Sequence, residues 1–472
     1  MFDKGAAIGD GVGLATEFMG TEQARILYGN GPIKFGNDEG HEFWRDACRN
    51  GWFESDFTDD TDQQLLITQC LLADKGTLDP ANFAFRIEEW KRLGLPELEN
   101  KLPNGMGFTV FSAISQKNFL SDPLRASYEV WNKGHRNFAA NGAVMRTAIL
   151  GATSFWNEQK VAENCMMAAK VTHADPRCVV SAVIVGVMIS RLLRGSAASQ
   201  SLPFKEDYEK HLVEMIQYGS KEESSYIEKV SNCPKAIPKK IDTPLHRLLI
   251  RGIRRFAARV TGLEVHPKFE LEDFNIPSYP HVDIKRYDNP VPIRPNVKKM
   301  DDFGIDKDMM DLCRDVVDKY KFLVEDHPLC PSAEQISSQT EKELAEDAGT
   351  STWVDQLYAH SFPESLSCLN LNERNKIGYT FKCLGAGLYA VTRKQPEDMS
   401  SGEFYKHIIT ELTLETGDAD TNCAVAGAVL GCRLGKSGLP SGWVNGVRHH
   451  DFLEDITNKL CDMILEGLRN NE

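Results

Sequence analysis

Long apolar runs are absent from the sequence. Its most apolar stretch, residues 179–189, is well short of the roughly 20 residues that a transmembrane helix needs, and Arg177 and Arg191 flank it. The first residues also lack a basic segment followed by an apolar one, which is the pattern of a secretory signal peptide. We therefore expect a soluble intracellular protein with no membrane partner, located in the cytoplasm or the nucleus.

Positive charge is in deficit. Lysine and arginine number 54 against 68 aspartate and glutamate residues, and the formal net charge is −14. Because nucleic acids are polyanions, this balance argues against bare nucleic acid as a partner. An acidic chain can still bind a small anion locally, through helix N-termini or bound cations.

Paired cysteines are lacking too. The 12 cysteines are scattered without a Cys-x-x-Cys pair or a regular spacing. Such usage is typical of buried thiols in a reducing compartment, and it makes a disulfide framework improbable.

Strand signals are scarce. Residues 108–115 are the nearest candidate for a strand, and Gly105 and Gly107 just before them suit a loop equally well. Apolar residues instead recur at helical spacing, and Asp79 and Asp175 each precede a proline as an N-cap does. Segments with this pattern are residues 62–72, 80–93, 124–132, 143–150, 159–171, 176–193, 301–323, 353–360, 377–391, 404–414, 422–434 and 452–467. The sequence therefore predicts an all-α fold of many helices.

Three glycines near the N-terminus, Gly9, Gly11 and Gly13, invite comparison with a dinucleotide-binding loop. Leu14 occupies the place of the third glycine of that motif, and no strand precedes the run. A buried helix whose glycines allow close packing fits better.

The middle of the chain differs in composition from its flanks. Residues 266–297 are rich in proline, tyrosine and charge, which excludes a regular helix and favours an extended loop. We interpret residues at about 225–345 as an insertion into the helical core.

Two acidic clusters carry the chemistry. Asp418, Asp420 and Thr421 precede a run of small residues, and the segment 58–62 reads Thr-Asp-Asp-Thr-Asp. Closely spaced carboxylates are ligands that hard divalent cations prefer, so the clusters predict one metal site assembled by the fold. The alternative for each cluster is an N-cap with an acidic first turn. An EF-hand is excluded because Cys423 and Val429 stand where its glycine and glutamate belong.

Five motifs, taken in order, resemble those of a known family. They are Gly9-Asp10-x-x-Gly13-x-x-x-Glu17-Phe18-Met19, Thr58-Asp59-Asp60-Thr61, Asn141-Gly142-Ala143-x-Met145-Arg146, Thr172-His173-x-x-Pro176, and Gly417-Asp418-Ala419-Asp420-Thr421. With Pro440-Ser441-Gly442-Trp443 after them, the chain resembles the ADP-ribosylglycohydrolase family, which includes the dinitrogenase reductase-activating glycohydrolases of bacteria. The resemblance covers about residues 1–200 and 370–470.

The resemblance implies a fold, a cofactor and a set of site residues. It implies one all-α domain over residues 1–472, interrupted by the insertion, with a binuclear Mg²⁺ or Mn²⁺ centre in a cleft. The implied metal ligands are Thr58, Asp59, Asp60, Asp418, Asp420 and Thr421. The implied catalytic groups are Glu17, Asp59 and Asp60, and the implied substrate-binding residues are Asn141, Gly142, Ala143 and His173. The implied activity is metal-dependent hydrolysis of the glycosidic bond between ADP-ribose and a protein side chain or small-molecule acceptor.

Two positions depart from the family pattern. Ala140 stands where a glycine often precedes the asparagine, and Phe138 stands where the arginine-specific bacterial branch has an acidic residue. Cleavage from arginine is therefore in doubt, and serine-linked or small-molecule conjugates stay open. Two other functions also stay open: a non-catalytic ADP-ribose-binding or structural protein, and a two-metal hydrolase of another nucleotide or sugar conjugate.

Overall fold

The computed structural model describes residues 2–195, 290–327 and 352–469, except positions 47, 100, 101, 104, 296 and 326. In these ranges the backbone is helical or irregular, and strand-like pairing is limited to isolated bridges such as Ala140 with Tyr379. The N-terminal helices are α1 Phe2–Gly13, α2 Thr21–Tyr28, α3 Asp59–Ala73, α4 Pro80–Leu93, α5 Phe108–Ile114, α6 Pro123–Lys133, α7 Leu150–Thr153, α8 Glu158–Lys170 and α9 Pro176–Arg194. The later helices are α10 Lys307–Tyr320, α11 Phe322–Glu325, α12 Trp353–Ser361, α13 Thr380–Val391, α14 Ser401–Leu414, α15 Ala419–Leu434, α16 Ser441–Gly446 and α17 His450–Arg469. The predicted all-α fold class is confirmed.

The one strand candidate is a helix. Thr109, Val110, Ala113 and Ile114 are the buried residues of α5, and this spacing places them on one face of a helix. A strand with one buried face would have buried every second residue. The observed burial pattern is that of a helix, and it could not be derived from composition.

Helix α1 packs on α15 at backbone contact. A Cβ added to Gly9 would lie 2.0 Å from the carbonyl oxygen of Cys423, and one on Gly5 or Gly13 would lie 2.3 Å from a carbonyl oxygen of α15. The three glycines are four residues apart, so they form one stripe on the helix. The glycines therefore serve helix packing, as the buried-helix interpretation predicts.

The contact order along the stripe shows that the two helices are antiparallel. Gly5 faces Gly427, Gly9 faces Cys423, and Gly13 faces Ala419. As a result the C-terminal end of α1 meets the N-terminal end of α15, where the second acidic cluster lies.

Helix α9 is the apolar centre of the described core. Asp175 caps it by accepting a hydrogen bond from the backbone N–H of Arg177, and Pro176 occupies its first turn. Among the described helices it is long and apolar enough to cross a membrane, but 89% of its 18-residue window is buried inside the protein. Its apolar surface is thus covered by other helices of the same chain.

Most of the predicted insertion lies outside the described residues. Its described portion includes α10, whose Leu312, Cys313, Val316 and Val317 are buried in the main hydrophobic core. The helical spacing over residues 301–323 is therefore matched by α10 and α11, and the single-domain organisation remains a prediction.

Candidate active site

The antiparallel packing of α1 and α15 brings Glu17 to the second acidic cluster. Phe18 donates its backbone N–H to the carbonyl oxygen of Gly417 at 2.7 Å, which joins the two chain segments. One carboxylate oxygen each from Glu17, Asp418 and Asp420 lies within 4.8 Å of the other two. Three acidic groups at this separation can serve together as ligands of a cation.

The first acidic cluster is attached to α1 from the other side. The buried carboxylate of Asp10 accepts hydrogen bonds from the backbone N–H groups of Thr58 at 3.0 Å and Thr61 at 3.1 Å, and from the Thr61 hydroxyl at 2.5 Å. It thereby fixes the start of α3, where Asp59 and Asp60 begin the helix. Asp60 in turn lies close enough to Thr421 and Asp418 for both side chains to affect its pKa, so the two clusters meet.

The electrostatics of the cluster favour a bound cation. Burial raises the pKa of Asp59, Asp60 and Asp420 well above the usual range. The next largest cause is the charge of a neighbouring carboxylate, which is Asp62 for Asp59, Asp10 for Asp60 and Glu17 for Asp420. Desolvation and then the charge of Asp418 raise the pKa of the half-buried Glu17 to about 8. Buried carboxylates held this close repel one another unless protons or cations neutralise them.

Two carboxylate oxygens of the cluster have no hydrogen-bond partner among the described residues. They are Oδ2 of Asp60 and Oδ1 of Asp420, and both are buried. A buried anionic oxygen without a partner is costly, and coordination of a metal removes that cost. The donor set therefore fits hard divalent cations, which take oxygen ligands.

The N-cap interpretation applies to one cluster only. The Thr58 hydroxyl accepts a hydrogen bond from the backbone N–H of Asp60 at 3.3 Å and so caps α3. Since a hydroxyl oxygen has two lone pairs, this cap leaves Thr58 able to bind a cation as well. Helix α15 begins at Ala419, three residues earlier than the predicted start at Asn422. Asp418 therefore occupies its N-cap position, but the Asp418 side chain makes no cap hydrogen bond.

Asn141 links the second acidic cluster to the loop predicted to bind substrate. Its side-chain amide donates to Oδ2 of Asp418 at 2.7 Å, and its backbone N–H donates to the carbonyl oxygen of Gly378 at 2.9 Å. A Cβ on Gly378 would lie 3.3 Å from the same Asp418 oxygen, so this segment borders the cluster. The substrate loop and the acidic cluster thus form one continuous site.

The other predicted substrate residues surround Asn141. A Cβ on Gly142 would lie 3.1 Å from Nε2 of His173, and the His173 side chain is buried. Ala143 points its methyl group into the hydrophobic core, so any contact it makes with a ligand would use its backbone. The structure therefore brings these predicted residues close together, although Ala143 points its side chain away from the others.

Three residues with roles at the site were not predicted. Asp10 anchors α3, Gln63 donates its side-chain N–H to Oδ2 of Asp59 at 2.8 Å, and Arg146 donates to Gln63 at 2.6 Å. Asp10 and Arg146 lie within the motifs quoted above, and Gln63 follows Asp59 by four residues, which places both on one face of α3. That spacing is a signal the sequence offered for Gln63.

Comparison with known proteins identifies the family of the chain. The model of the ADP-ribosylglycohydrolase family matches residues 4–258 and 308–470. An uncharacterized protein of Archaeoglobus fulgidus is 25% identical over 230 residues, 46% of this chain and 64% of that protein. The ADP-ribosylarginine hydrolase Tri1 of Serratia proteamaculans is 23% identical over 199 residues, 42% of this chain and 48% of that protein. The alignments thus span less than two thirds of either relative's length.

A solved structure described as an ADP-ribosylglycohydrolase-related protein complex is also similar. It has a TM-score of 0.46 and 16% sequence identity, and the match covers 98% of this chain and 96% of that one. The family match extends over both halves of the chain and includes all five motifs. The chain belongs to the ADP-ribosylglycohydrolase family.

Proposed function

We propose that this protein is a metal-dependent hydrolase that cleaves the glycosidic bond between ADP-ribose and a protein side chain or small-molecule acceptor. The observation that supports this most is the acidic cluster of Glu17, Asp59, Asp60, Asp418 and Asp420, with its buried oxygens lacking partners. A protein that bound ADP-ribose only through its loops would have no physical need for so many buried carboxylates around one point.

Two Mg²⁺ or Mn²⁺ ions would be held by the side-chain oxygens of the two clusters. The proposed ligands are Thr58, Asp59, Asp60, Asp418, Asp420 and Thr421. When bound, such ions orient a substrate diol, polarise a leaving group and acidify water.

The chain's own residues would bind and orient the ADP-ribosyl group. Asn141 holds Asp418 in place through its 2.7 Å hydrogen bond, while the buried Nε2 atom of His173 lies beside Gly142, the next residue of the loop. Glu17 lies beside Asp418 and Asp420. There its carboxyl group would exchange a proton with the acceptor's oxygen or nitrogen atom that leaves the anomeric carbon of the ribose.

The acceptor remains the open part of the proposal. Phe138 packs edge-to-face on Phe108 with ring centroids 5.8 Å apart, so an aromatic pair occupies the position expected to be acidic in the arginine-specific branch. The Serratia relative is nevertheless described as an ADP-ribosylarginine hydrolase. Arginine-linked and serine-linked substrates are therefore both to be assayed.

The test is hydrolysis of peptides ADP-ribosylated on serine or on arginine, with chromatographic identification of the product. We expect the wild type to release free ADP-ribose in the presence of Mg²⁺ or Mn²⁺. In Asp418→Asn the rate should fall about 100-fold, since the negative charge of one proposed metal ligand is removed. The matched control is Asp451→Asn on α17, whose side chain is exposed, and it should keep the wild-type rate.

Two outcomes would contradict the proposal. Binding of ADP-ribose without any turnover of either peptide or of small-molecule conjugates would favour the non-catalytic alternative. Turnover that releases a different nucleotide or sugar would favour the hydrolase of another conjugate.

A further inference from the structure

Arg146 lies fully buried between the metal cluster and the substrate loop. Its Nη1 donates to Oε1 of Gln63 at 2.6 Å, and its Nη2 donates to Oγ1 of Thr172 at 2.6 Å and to the carbonyl oxygen of Ala168 at 2.8 Å. Burial lowers its pKa to about 9, so the guanidinium is charged at pH 7. A charged guanidinium has donors and no acceptor.

The first consequence concerns Gln63. Because Arg146 can only donate, the Gln63 atom facing it must be the amide oxygen, which turns the NH₂ group toward Asp59. That group donates to Oδ2 of Asp59 at 2.8 Å. Arg146 thus decides which end of an otherwise ambiguous amide meets the carboxylate.

The second consequence concerns the tautomer of His173. The Thr172 oxygen accepts from Arg146 and lies 2.8 Å from Nδ1 of His173. Within the described residues, Nδ1 is the acceptor available to the buried Thr172 hydroxyl proton. Nδ1 then carries no proton, and in the neutral ring the proton must be on Nε2.

The Nε2 atom is placed to use that proton. It is buried, has no partner in the described structure, and lies against Gly142 of the substrate loop. Burial and then the charge of Arg146 lower the pKa of His173 well below its usual range, which keeps the ring neutral. A buried N–H without a partner in a ligand-binding loop calls for an acceptor from the ligand.

We propose that Arg146 is a positioning residue that orients both halves of the site. Through Gln63 it turns an N–H toward Asp59, and through Thr172 it holds His173 in the Nε2–H tautomer, ready to donate to an acceptor oxygen of the ligand. The choice of an ADP-ribosyl ligand rests on the function proposed above, whereas the tautomer is a property of the protein itself.

The test of the tautomer is nitrogen NMR of the imidazole rings in protein labelled with ¹⁵N-histidine, with His173→Gln used to assign the signal. The wild type should show an unprotonated Nδ1 and a protonated Nε2. Thr172→Ser keeps the hydroxyl and should keep this pattern, while Thr172→Val removes it and should give a mixture of tautomers. A wild-type ring protonated on Nδ1, or a Thr172→Val spectrum equal to wild type, would overturn the proposal.

Binding gives a second readout on the metal-loaded protein. By titration calorimetry with ADP-ribose, Thr172→Val should weaken binding about 10-fold, the scale of one buried hydrogen bond. Thr172→Ser should stay within about twofold of wild type. Equal losses in both variants would contradict the positioning role. Absence of ADP-ribose binding by the wild type would instead refute the proposed function. The NMR measurement needs no ligand, so it tests the tautomer independently of that result.

Discussion

At the scale of single residues, the site depends on contacts between side chains far apart in sequence. The amide of Asn141 meets the carboxylate of Asp418, and Asp10 meets Thr58 and Thr61. The motifs contain all of these residues, but only Asn141, Asp418 and Thr58 were candidates because of their chemistry and order. They could not reveal which atom would face which, because that depends on how helices far apart in the chain pack together.

Gln63 provides a direct test of residue-scale positioning. Gln63→Leu removes the N–H that orients Asp59, so we expect Mn²⁺ affinity to fall about 10-fold or more, as is typical when the partner of a metal ligand is lost. Calorimetric titration of the metal-free protein with Mn²⁺ measures this change.

The control lies on the same helix. Gln69→Leu makes the same chemical change at a site where the side chain contacts Arg86 and Glu97 instead of the cluster. An equal loss of affinity in both variants would contradict the orienting role of Gln63.

At the scale of helices, the glycine stripe on α1 determines where the two acidic clusters meet. The sequence predicted a tightly packed helix here, and the spacing of Gly5, Gly9 and Gly13 was visible in it. The partner helix was not, because a stripe of small residues does not specify which backbone will approach it.

Replacement of Gly9 tests this packing. Gly9→Ala places a methyl carbon only 2.0 Å from the carbonyl oxygen of Cys423, far inside van der Waals contact. Helices α1 and α15 must therefore separate. We expect a loss of about 3 kcal/mol in the free energy of unfolding, despite the better helix propensity of alanine. Urea denaturation followed by circular dichroism measures it.

A second helical glycine serves as the comparison. A Cβ on Gly402 in α14 would make only an ordinary 3.5 Å contact with Pro440. Gly402→Ala should therefore leave stability unchanged or raise it by up to about 1 kcal/mol. If Gly9→Ala were equally harmless, the close approach of α1 and α15 would be wrong.

A buried ionic network joins α8, α9 and α10. Glu158 is fully buried and accepts hydrogen bonds from Arg191 at 3.0 Å and from Tyr320 at 3.1 Å, and it pairs with Lys319 at 2.9 Å. Burial alone would raise the pKa of Glu158, but the hydrogen bonds from Arg191 and Lys319 outweigh it and lower the pKa to about 2.

This depressed pKa predicts how stability changes with pH. The network's contribution should be fully present above pH 4.5, the ordinary value for glutamate, and should be lost as the pH falls toward about 2. Glu158→Gln should therefore cost about 3 kcal/mol at pH 7, since it removes the buried counter-ion of Arg191 and leaves only the exposed carboxylate of Asp315 to pair with it. The difference from wild type should shrink between pH 4.5 and 3 in urea titrations.

An exposed ion pair gives the matched control. Glu129 pairs with Arg125 on the surface of α6, so Glu129→Gln should change stability by less than about 0.5 kcal/mol. A difference between Glu158→Gln and wild type that stays constant down to pH 3 would contradict the assignment of the shift to this network.

At the scale of the whole molecule, the all-α class followed from the sequence, while the roles of the site residues stay predictions. Helical spacing predicted most helices, and the N-caps Asp79 and Asp175 are both found. The helix α5 was missed because its short apolar run fits both the helical and the strand periodicity. Which of the two forms depends on how the segment packs against its neighbours. The predicted insertion lies mostly outside the described residues, so its existence stays a prediction.

The most direct test of the central claim is thermal unfolding of the wild type and Asp418→Ala with ADP-ribose, with and without Mg²⁺ or Mn²⁺. A ligand at about 100 times its Kd contributes roughly 2.7 kcal/mol to stability. We predict a rise in Tm with ADP-ribose that requires the metal, disappears in Asp418→Ala, and persists in the exposed-site control Asp451→Ala. No rise in the wild type at saturating metal and ligand, or a rise that survives in Asp418→Ala, would contradict the claim that the acidic cluster binds ADP-ribose through metal ions.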